Sequence, residues 1–157
     1  MTVYLRQLTI NDANTSFLWR KDKEVFQYTD QMCGNNLTIE DEKHWIENSI
    51  KDKYSVFFAI MVDDAYVGNV FLTDINTKIP YYHIYIGEKT LWNKSIGYKS
   101  SLLIIDYAFK TLKLKHLYLY VHKKNLYAQK LYNKLGFSYE SPYDDVWDRF
   151  ILNNKSL

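Results

Sequence analysis

Two side chains that can act as a general base lie in or beside one short apolar segment. His83 lies within the segment Tyr81–Ile86, and Glu88 follows that segment closely. Histidine accepts a proton near neutral pH and a carboxylate can do the same, so both are candidates for deprotonating a substrate. A buried histidine with a structural hydrogen-bonding partner is the alternative interpretation of His83. The other histidines are interpreted as structural or surface residues: His44, His116 and His122.

The second chemical feature is a polar turn, Trp92-Asn-Lys-Ser-Ile-Gly97, at the start of a long apolar helical run. A helix N-terminus presents unpaired N–H groups and a partial positive charge. Lys94 and Lys99 flank this end, where the helix dipole disfavours cations, so their presence is easier to explain if an anion binds there. Ser95 and Gly97 are small enough to let a phosphate approach the backbone. A surface turn with two solvated lysines is the alternative.

These residues are predicted to be positioned by a β-α-β unit. The strand Tyr81–Ile86 is followed by a helix over Ile96–Leu112 and by a second strand, His116–His122, in which apolar and polar residues alternate. Such a crossover implies that the two strands are parallel. A short helix from Asn125 to Leu135, ended by Gly136, follows the second strand.

The rest of the chain is predicted to complete one mixed sheet covered by helices. Thr38 and Asp41 form a capping pattern at the start of one helix, and the segment Phe26–Leu37 is interpreted as a substrate-facing loop. The expected fold class is α/β, with a mixed sheet of about seven strands flanked by about four helices. Further elements are expected as strands at Val3–Leu8, Tyr54–Val62, Tyr66–Thr73, Phe137–Glu140 and Val146–Leu152, and as helices at Asp12–Lys21 and Thr38–Lys51.

The segment from Tyr81 to Gly136 resembles the acetyl-CoA-binding core of the Gcn5-related N-acetyltransferases, the GNAT superfamily. That family has a Gln/Arg-x-x-Gly-x-Gly/Ala turn where this chain has Trp92 in place of Gln/Arg, Ser95 in place of the first Gly, and Gly97. The family's closing helix, Asn-x-x-Ala-x-x-x-Tyr-x-x-x-Gly-Phe, is matched at Asn125, Ala128, Tyr132, Gly136 and Phe137. The resemblance covers essentially the whole chain and is closest to the branch of ribosomal-protein and amino-sugar-nucleotide acetyltransferases.

The resemblance implies a binding site for acetyl-CoA, the co-substrate. Its extended pantetheine arm would hydrogen-bond the backbone of Tyr85 and Ile86 between two splayed strands, as an added strand does, with Asn125 directed toward it. Gly87 would mark the bulge that opens this gap. The pyrophosphate would be held at the turn by six consecutive residues: Trp92, Asn93, Lys94, Ser95, Ile96 and Gly97.

The resemblance also implies the chemistry, in which an amine attacks the thioester directly in a ternary complex. Tyr132 matches the family's general acid, and a phenol can protonate a departing thiolate because their unperturbed acidities are not far apart. His83 stands where family members often have a glutamate base. Glu88 and water are the alternatives to His83. No cluster in the sequence has the spacing of zinc ligands, so no metal is expected.

The acceptor is expected to be a small-molecule primary amine in a pocket beside the Phe26–Asn36 loop. An aromatic-rich pocket can stack a nucleobase or a sugar face, which favours a nucleotide-linked amino sugar. A ribosomal-protein or peptide N-terminus, another small-molecule amine such as a polyamine, and a non-catalytic acetyl-CoA-binding module are the alternatives. The candidate lining residues are Trp19, Phe26, Tyr28, Trp45, Tyr81 and Tyr82.

The composition excludes several other classes of protein. The chain has 157 residues, is 47% hydrophobic and carries a formal net charge of +2. Its length favours a single domain, residues 1–157, whose core needs no disulfide. The charge argues against a nucleic-acid partner, and no segment is apolar enough for a signal peptide or a membrane span. The single cysteine, Cys33, is interpreted as an incidental thiol, and a cytoplasmic location is expected.

Overall fold

A single mixed sheet organises the chain in the computed structural model, which describes residues 1–29, 31 and 33–155. Its strand order is β1-β2-β3-β4-β5-β7-β6. The strands are β1 (Val3–Gln7), β2 (Val56–Val62), β3 (Ala65–Thr73), β4 (Tyr81–Ile86), β5 (His116–His122), β6 (Ser138–Pro142) and β7 (Trp147–Asn153). The helices are α1 (Ala13–Arg20), α2 (Ile39–Lys51), α3 (Ile96–Asp106) and α4 (Leu126–Leu135). The predicted fold class is therefore confirmed.

Local signals in the sequence account for the helix ends. The Thr38 side chain accepts a hydrogen bond from the Asp41 N–H, and the Asp41 carboxylate accepts one from the Thr38 N–H, which completes the predicted capping box. The Asn125 side chain accepts the Ala128 N–H at 3.2 Å at the start of α4. Gly136 ends α4 with φ of 100°, a left-handed conformation that glycine adopts without penalty. The predicted end of α3 is only partly right, because its last turn, Tyr107–Thr111, is π-helical.

The sheet is covered on both faces. On one face, β5 turns Leu117, Leu119 and Val121 toward a core that includes Ile104 of α3. Burying each such Leu, Ile or Val contributes about 1.5–3 kcal/mol. The other face carries an aromatic layer with α1 and α2, formed by Trp19, Phe26, Phe71 and Tyr85, with Trp45 packed against it. Among the residues described, each helix is too short or too polar to traverse a lipid bilayer.

The two central parallel strands separate almost as soon as they meet. The β4–β5 ladder registers one pair, Tyr81 with Tyr118, and the Tyr118 N–H donates to the Pro80 carbonyl at 2.9 Å. β4 stays paired with β3 from Tyr81 to Ile86, and β5 stays paired with β7 from His116 to His122. The gap between β4 and β5 therefore leaves strand backbone available to a ligand.

Gly87 lies at an irregularity just after β4, because the Gly87 and Glu88 N–H groups both donate to the Val67 carbonyl, at 2.8 Å and 3.3 Å, as in a β-bulge. That this bulge opens the gap stays a prediction. The β3–β4 register is regular up to Ile86, and a further register shift lies between β2 and β3, at Ile60 and Met61. A Cβ on Gly87 would lie 2.0 Å from the Trp19 indole. Glycine is required at position 87 because the Trp19 ring packs directly on the backbone.

Candidate active site

A cavity of about 630 Å³ fills the gap between β4 and β5. It is lined by the end of β4, by the turn that precedes α3, and by one face of α4. Of the residues predicted to contact acetyl-CoA, all but Lys94 line this cavity: Tyr85, Ile86, Trp92, Asn93, Ser95, Ile96, Gly97 and Asn125. Lys94 is exposed and is not among the lining residues. We call this space the strand-gap cavity.

Two residues of the turn before α3 have a backbone conformation that usually favours glycine, although neither is glycine. Asn93 and Ser95 both adopt left-handed conformations, with φ of 63° and 65°. Ser95 stands where the family pattern has its first glycine, which explains that pattern, since an L-residue pays about 1–2 kcal/mol in this region. The Lys99 N–H bonds to the Ser95 carbonyl at 3.0 Å, and the N–H groups before it have no partner within the helix. The positive end of α3 therefore faces the strand-gap cavity, as an anionic pyrophosphate requires.

Trp92 ties this turn to the end of β4. Its indole N–H donates to the Ile86 carbonyl at 2.9 Å. Where the family has Gln or Arg, this chain therefore has an indole that already donates one hydrogen bond to the Ile86 carbonyl. The backbone of Ile86 is also predicted to bond to the pantetheine arm. A carbonyl oxygen has two lone pairs, so a second hydrogen bond from a ligand remains compatible with this one.

Tyr132 lies where the strand-gap cavity meets a second, smaller one. Its side chain is buried and packs edge-to-face on Tyr82, with ring centroids 5.9 Å apart. Burial raises the pKa of Tyr132 to about 12, so its phenol keeps its proton at neutral pH. Among the described residues, no group hydrogen-bonds its hydroxyl. It lines both cavities, together with Tyr28, Thr29, Ile84 and Asn125.

The second cavity, of about 230 Å³, is largely aromatic and we call it the acceptor cavity. His83 lines it from β4, with its Nε2 2.9 Å from Thr73 Oγ1 and its ring stacked on Phe71 at 4.6 Å. No Asp or Glu is found among its described lining residues. The remaining lining residues are Tyr28, Thr29, Gln31, Tyr82, Ile84, Tyr120, Val121, His122, Asn125, Tyr132, Tyr143 and Trp147.

The family assignment agrees with this geometry. Residues 2–138 match the family model described as an acetyltransferase (GNAT) domain. The protein belongs to the GNAT acetyltransferase family. Membership confirms the predicted superfamily and the predicted N-acetyltransferase activity, with acetyl-CoA as co-substrate. The finer prediction of a ribosomal-protein and amino-sugar-nucleotide branch stays a prediction.

Relatives of this GNAT enzyme differ in the activity their names give. Acetyltransferase PseH of Campylobacter jejuni is 26% identical over 146 residues, which cover 93% of this chain and 87% of PseH. Spermidine N(1)-acetyltransferase of Escherichia coli K12 is 27% identical over 154 residues, which cover 97% of this chain and 74% of that enzyme. The chain spans only 28% of the length of an uncharacterized Methanocaldococcus jannaschii protein, to which it is 25% identical over 138 residues.

Solved structures confirm the fold of the GNAT enzyme. Spermidine N-acetyltransferase from Vibrio cholerae, in complex with CoA and spermine, superposes with a TM-score of 0.86 at 20% identity, covering 97% of this chain and 95% of that one. C. jejuni PseH in complex with acetyl coenzyme A superposes with a TM-score of 0.74 at 24% identity, covering 98% of this chain and 100% of that one.

The structure brings together only part of the predicted catalytic set. Tyr132 and His83 line the same cavity, whereas Glu88 lines neither cavity, and its carboxylate accepts the Trp19 indole N–H at 3.0 Å. Among the described residues, no group of three or more His, Cys, Asp or Glu is placed to hold a metal ion. Within the predicted substrate loop, Asp30 and Met32 lie outside the described residues.

Most of the aromatic residues predicted to line the acceptor pocket are elsewhere. Trp19, Phe26 and Trp45 pack in the aromatic layer between the sheet and α1 and α2. Tyr81 stacks on Tyr120 at 4.7 Å, and of the predicted residues Tyr28 and Tyr82 line the acceptor cavity. The cavity is aromatic, as the predicted pocket is, and two of the six predicted lining residues belong to it.

Sequence reasoning missed lining residues on β5 and β7, and His122 is the clearest case. Its ring lies between Tyr28 at 5.0 Å and Trp147 at 5.3 Å. Its Nδ1 accepts the Lys124 N–H at 3.1 Å, so the proton of the neutral ring is on Nε2. Along β5, Tyr120 and His122 alternate with the core residues Leu119 and Val121. This alternation could have assigned both Tyr120 and His122 to the face of the sheet opposite the core.

Proposed function

We propose that this GNAT enzyme acetylates the primary amine of a nucleotide-linked amino sugar. The observation that carries the proposal is the aromatic lining of the acceptor cavity, which includes Tyr28, Tyr82 and Trp147. Aromatic rings stack on nucleobases and on the apolar faces of sugars.

The described residues divide the work of the reaction between them. Bound acetyl-CoA supplies the activated acetyl group. His83 lines the acceptor cavity from β4 and is the proposed base that takes a proton from the attacking amine. The Tyr132 hydroxyl, protonated at neutral pH, is available at the junction of the two cavities to donate a proton to the leaving sulfur. Because the cavities share lining residues, both substrates can be held at once, which supports direct attack in a ternary complex.

A polyamine is the second candidate acceptor. It is favoured by the relative named spermidine N(1)-acetyltransferase, whose alignment covers nearly all of this chain. The aromatic lining of the acceptor cavity favours the amino sugar instead, because ring faces stack on nucleobases and sugars.

Release of free CoA in the presence of a panel of amines tests the proposal. The panel contains UDP-glucosamine as a nucleotide-linked amino sugar, spermidine, and a short peptide with a free N-terminus. We expect the highest kcat/KM with UDP-glucosamine. A higher kcat/KM with spermidine or the peptide would overturn the acceptor assignment. Acetyl-CoA that raises the thermal stability while no amine is acetylated would indicate a binding module without catalysis.

A further inference from the structure

Gln31 connects the acceptor cavity to a buried ion pair. Its side-chain oxygen accepts a hydrogen bond from Arg20 Nη1 at 2.7 Å, while the residue itself lines the acceptor cavity. Arg20 is only 4% exposed, and its Nε donates to Glu42 Oε2 at 2.8 Å. The other Glu42 oxygen accepts the Ser16 hydroxyl at 2.9 Å.

The position of Arg20 is fixed from several directions. Besides the bond to Glu42, its guanidinium lies 4.7 Å from the ring centroids of both Phe26 and Trp45. Phe26 is itself buried, so these contacts leave the guanidinium little freedom. Gln31 therefore bonds to a donor whose place does not depend on what occupies the acceptor cavity.

The chemistry of arginine decides which end of the Gln31 amide bonds to Arg20. A guanidinium has donors and no acceptor, so only the Gln31 carbonyl oxygen can bond to it. The amide nitrogen is then on the side away from Arg20. Among the described residues, no acceptor hydrogen-bonds that nitrogen. A residue that lines the cavity therefore carries two N–H donors that Arg20 does not use.

We propose that Gln31 is a specificity-determining residue that selects acceptor substrates by their hydrogen-bond acceptors. A carbonyl, hydroxyl or phosphate oxygen near the reacting amine would receive the Gln31 N–H groups, whereas the ammonium groups of a polyamine would be opposed by them. The inference rests on the proposed function, because it states how that same cavity would take a nucleotide-linked amino sugar in preference to spermidine.

The alternative is that Gln31 only supports Arg20 and does not select substrates. The Gln31→Glu variant distinguishes these two roles. A glutamate at this position still offers Arg20 an oxygen, so the buried contact is kept. Its second oxygen replaces the amide nitrogen and turns a donor into an anionic acceptor. If Gln31 only supports Arg20, the variant should select substrates as the wild type does.

The experiment compares kcat/KM for UDP-glucosamine and for spermidine in the wild type, Gln31→Glu and Gln7→Glu. Gln7 lies exposed on the edge strand β1, so Gln7→Glu makes the same chemical change away from both cavities. We expect Gln31→Glu to lower the ratio of the UDP-glucosamine value to the spermidine value by about tenfold or more, because a charged group replaces a donor. Gln7→Glu should leave this ratio unchanged.

The outcomes separate this inference from the proposed function. If the wild type prefers UDP-glucosamine and Gln31→Glu keeps the ratio within twofold, the inference is overturned and the proposed function stands. If the wild type prefers spermidine, the proposed function fails. The inference about Gln31 then requires Gln31→Glu to lower the KM for spermidine, and an unchanged KM would overturn that inference. Should Gln31→Glu fail to fold, Gln31→Met removes the donors without adding charge but also removes the oxygen that bonds to Arg20, so its thermal stability is measured beside its kinetics. A raised KM for UDP-glucosamine, with kcat and thermal stability retained, supports the inference, and an unchanged KM overturns it.

Discussion

At the scale of single residues, the two side chains proposed to transfer protons reach one cavity from opposite faces of the sheet. Tyr132 packs with Tyr82 on the side of α3 and α4, and His83 stacks on Phe71 within the aromatic layer. Both line the acceptor cavity because β4 and β5 separate after their first pair. A continuous β4–β5 ladder would have kept a layer of backbone between the two side chains.

Replacing Tyr132 by Phe should lower kcat about 100-fold or more, the usual range for losing a general acid. The ring that packs on Tyr82 is kept and only the hydroxyl is lost, so affinity for acetyl-CoA should change little. Because burial raises the pKa of Tyr132 to about 12, its ionisation should produce no alkaline limb in the wild-type pH–rate profile below about pH 10. Steady-state kinetics from pH 6 to 10 checks both statements. Tyr139→Phe, exposed on β6, is the control and should keep the wild-type rate.

Replacing His83 by Gln should lower kcat and remove the acidic limb of the pH–rate profile. Glutamine can still bond to Thr73, so the local packing is preserved while the titrating base is lost. The matched control is His44→Gln, since His44 is exposed on α2. A His83→Gln enzyme with an unchanged rate and an unchanged profile would show that water, or another group, takes the proton.

At the scale of elements, local signals were readable from the sequence and contacts between distant segments were not. The Thr38–Asp41 capping box and the Gly136 helix end depend on neighbours in the chain, and both were predicted. The place of His122 beside Trp147 depends on the pairing of β5 with β7, which no local pattern specifies. Glu88 was misplaced for the same reason, because its partner Trp19 lies 69 residues earlier. The part of the site built on α3 and α4 was therefore predictable, and the acceptor cavity was not.

The turn before α3 offers a test of how the backbone shapes the cofactor site. Ser95→Gly places a glycine where φ is 65°, so the free energy of unfolding should rise by about 0.5–1 kcal/mol. The gain is smaller than the strain relieved because glycine also increases the entropy of the unfolded chain. Urea unfolding measures the change, and affinity for acetyl-CoA should be retained.

The matched control for the turn is Ser138→Gly. Ser138 is exposed in β6, where glycine should lower the free energy of unfolding by about 0.5–1 kcal/mol. If both variants were destabilised equally, the left-handed backbone at Ser95 would not be a source of strain.

At the scale of the whole molecule, the fold buries tyrosines that titrate later than they would in an unfolded chain. Burial raises the pKa of Tyr85 and of Tyr132 to about 12, and it raises the pKa of Tyr82 well above its ordinary value. In the unfolded chain these phenols ionise near pH 10. Between pH 10 and 12 the unfolded state therefore binds fewer protons than the folded state, so the free energy of unfolding falls as the pH rises.

We expect stability to be fully retained below about pH 10 and to be lost progressively above it, by up to about 1.4 kcal/mol per pH unit for each buried tyrosine that ionises only on unfolding. Urea unfolding followed by tryptophan fluorescence at a series of pH values between 8 and 11.5 measures the slope. Tyr132→Phe should flatten it with little cost at pH 7, since its hydroxyl bonds to no group among the described residues. Tyr139→Phe should leave the slope as it is, because Tyr139 is 55% exposed. Equal slopes for the wild type and Tyr132→Phe would mean that the Tyr132 phenol ionises as readily in the folded protein as in water. Burial would then not be what keeps the Tyr132 hydroxyl protonated for the acetyl transfer.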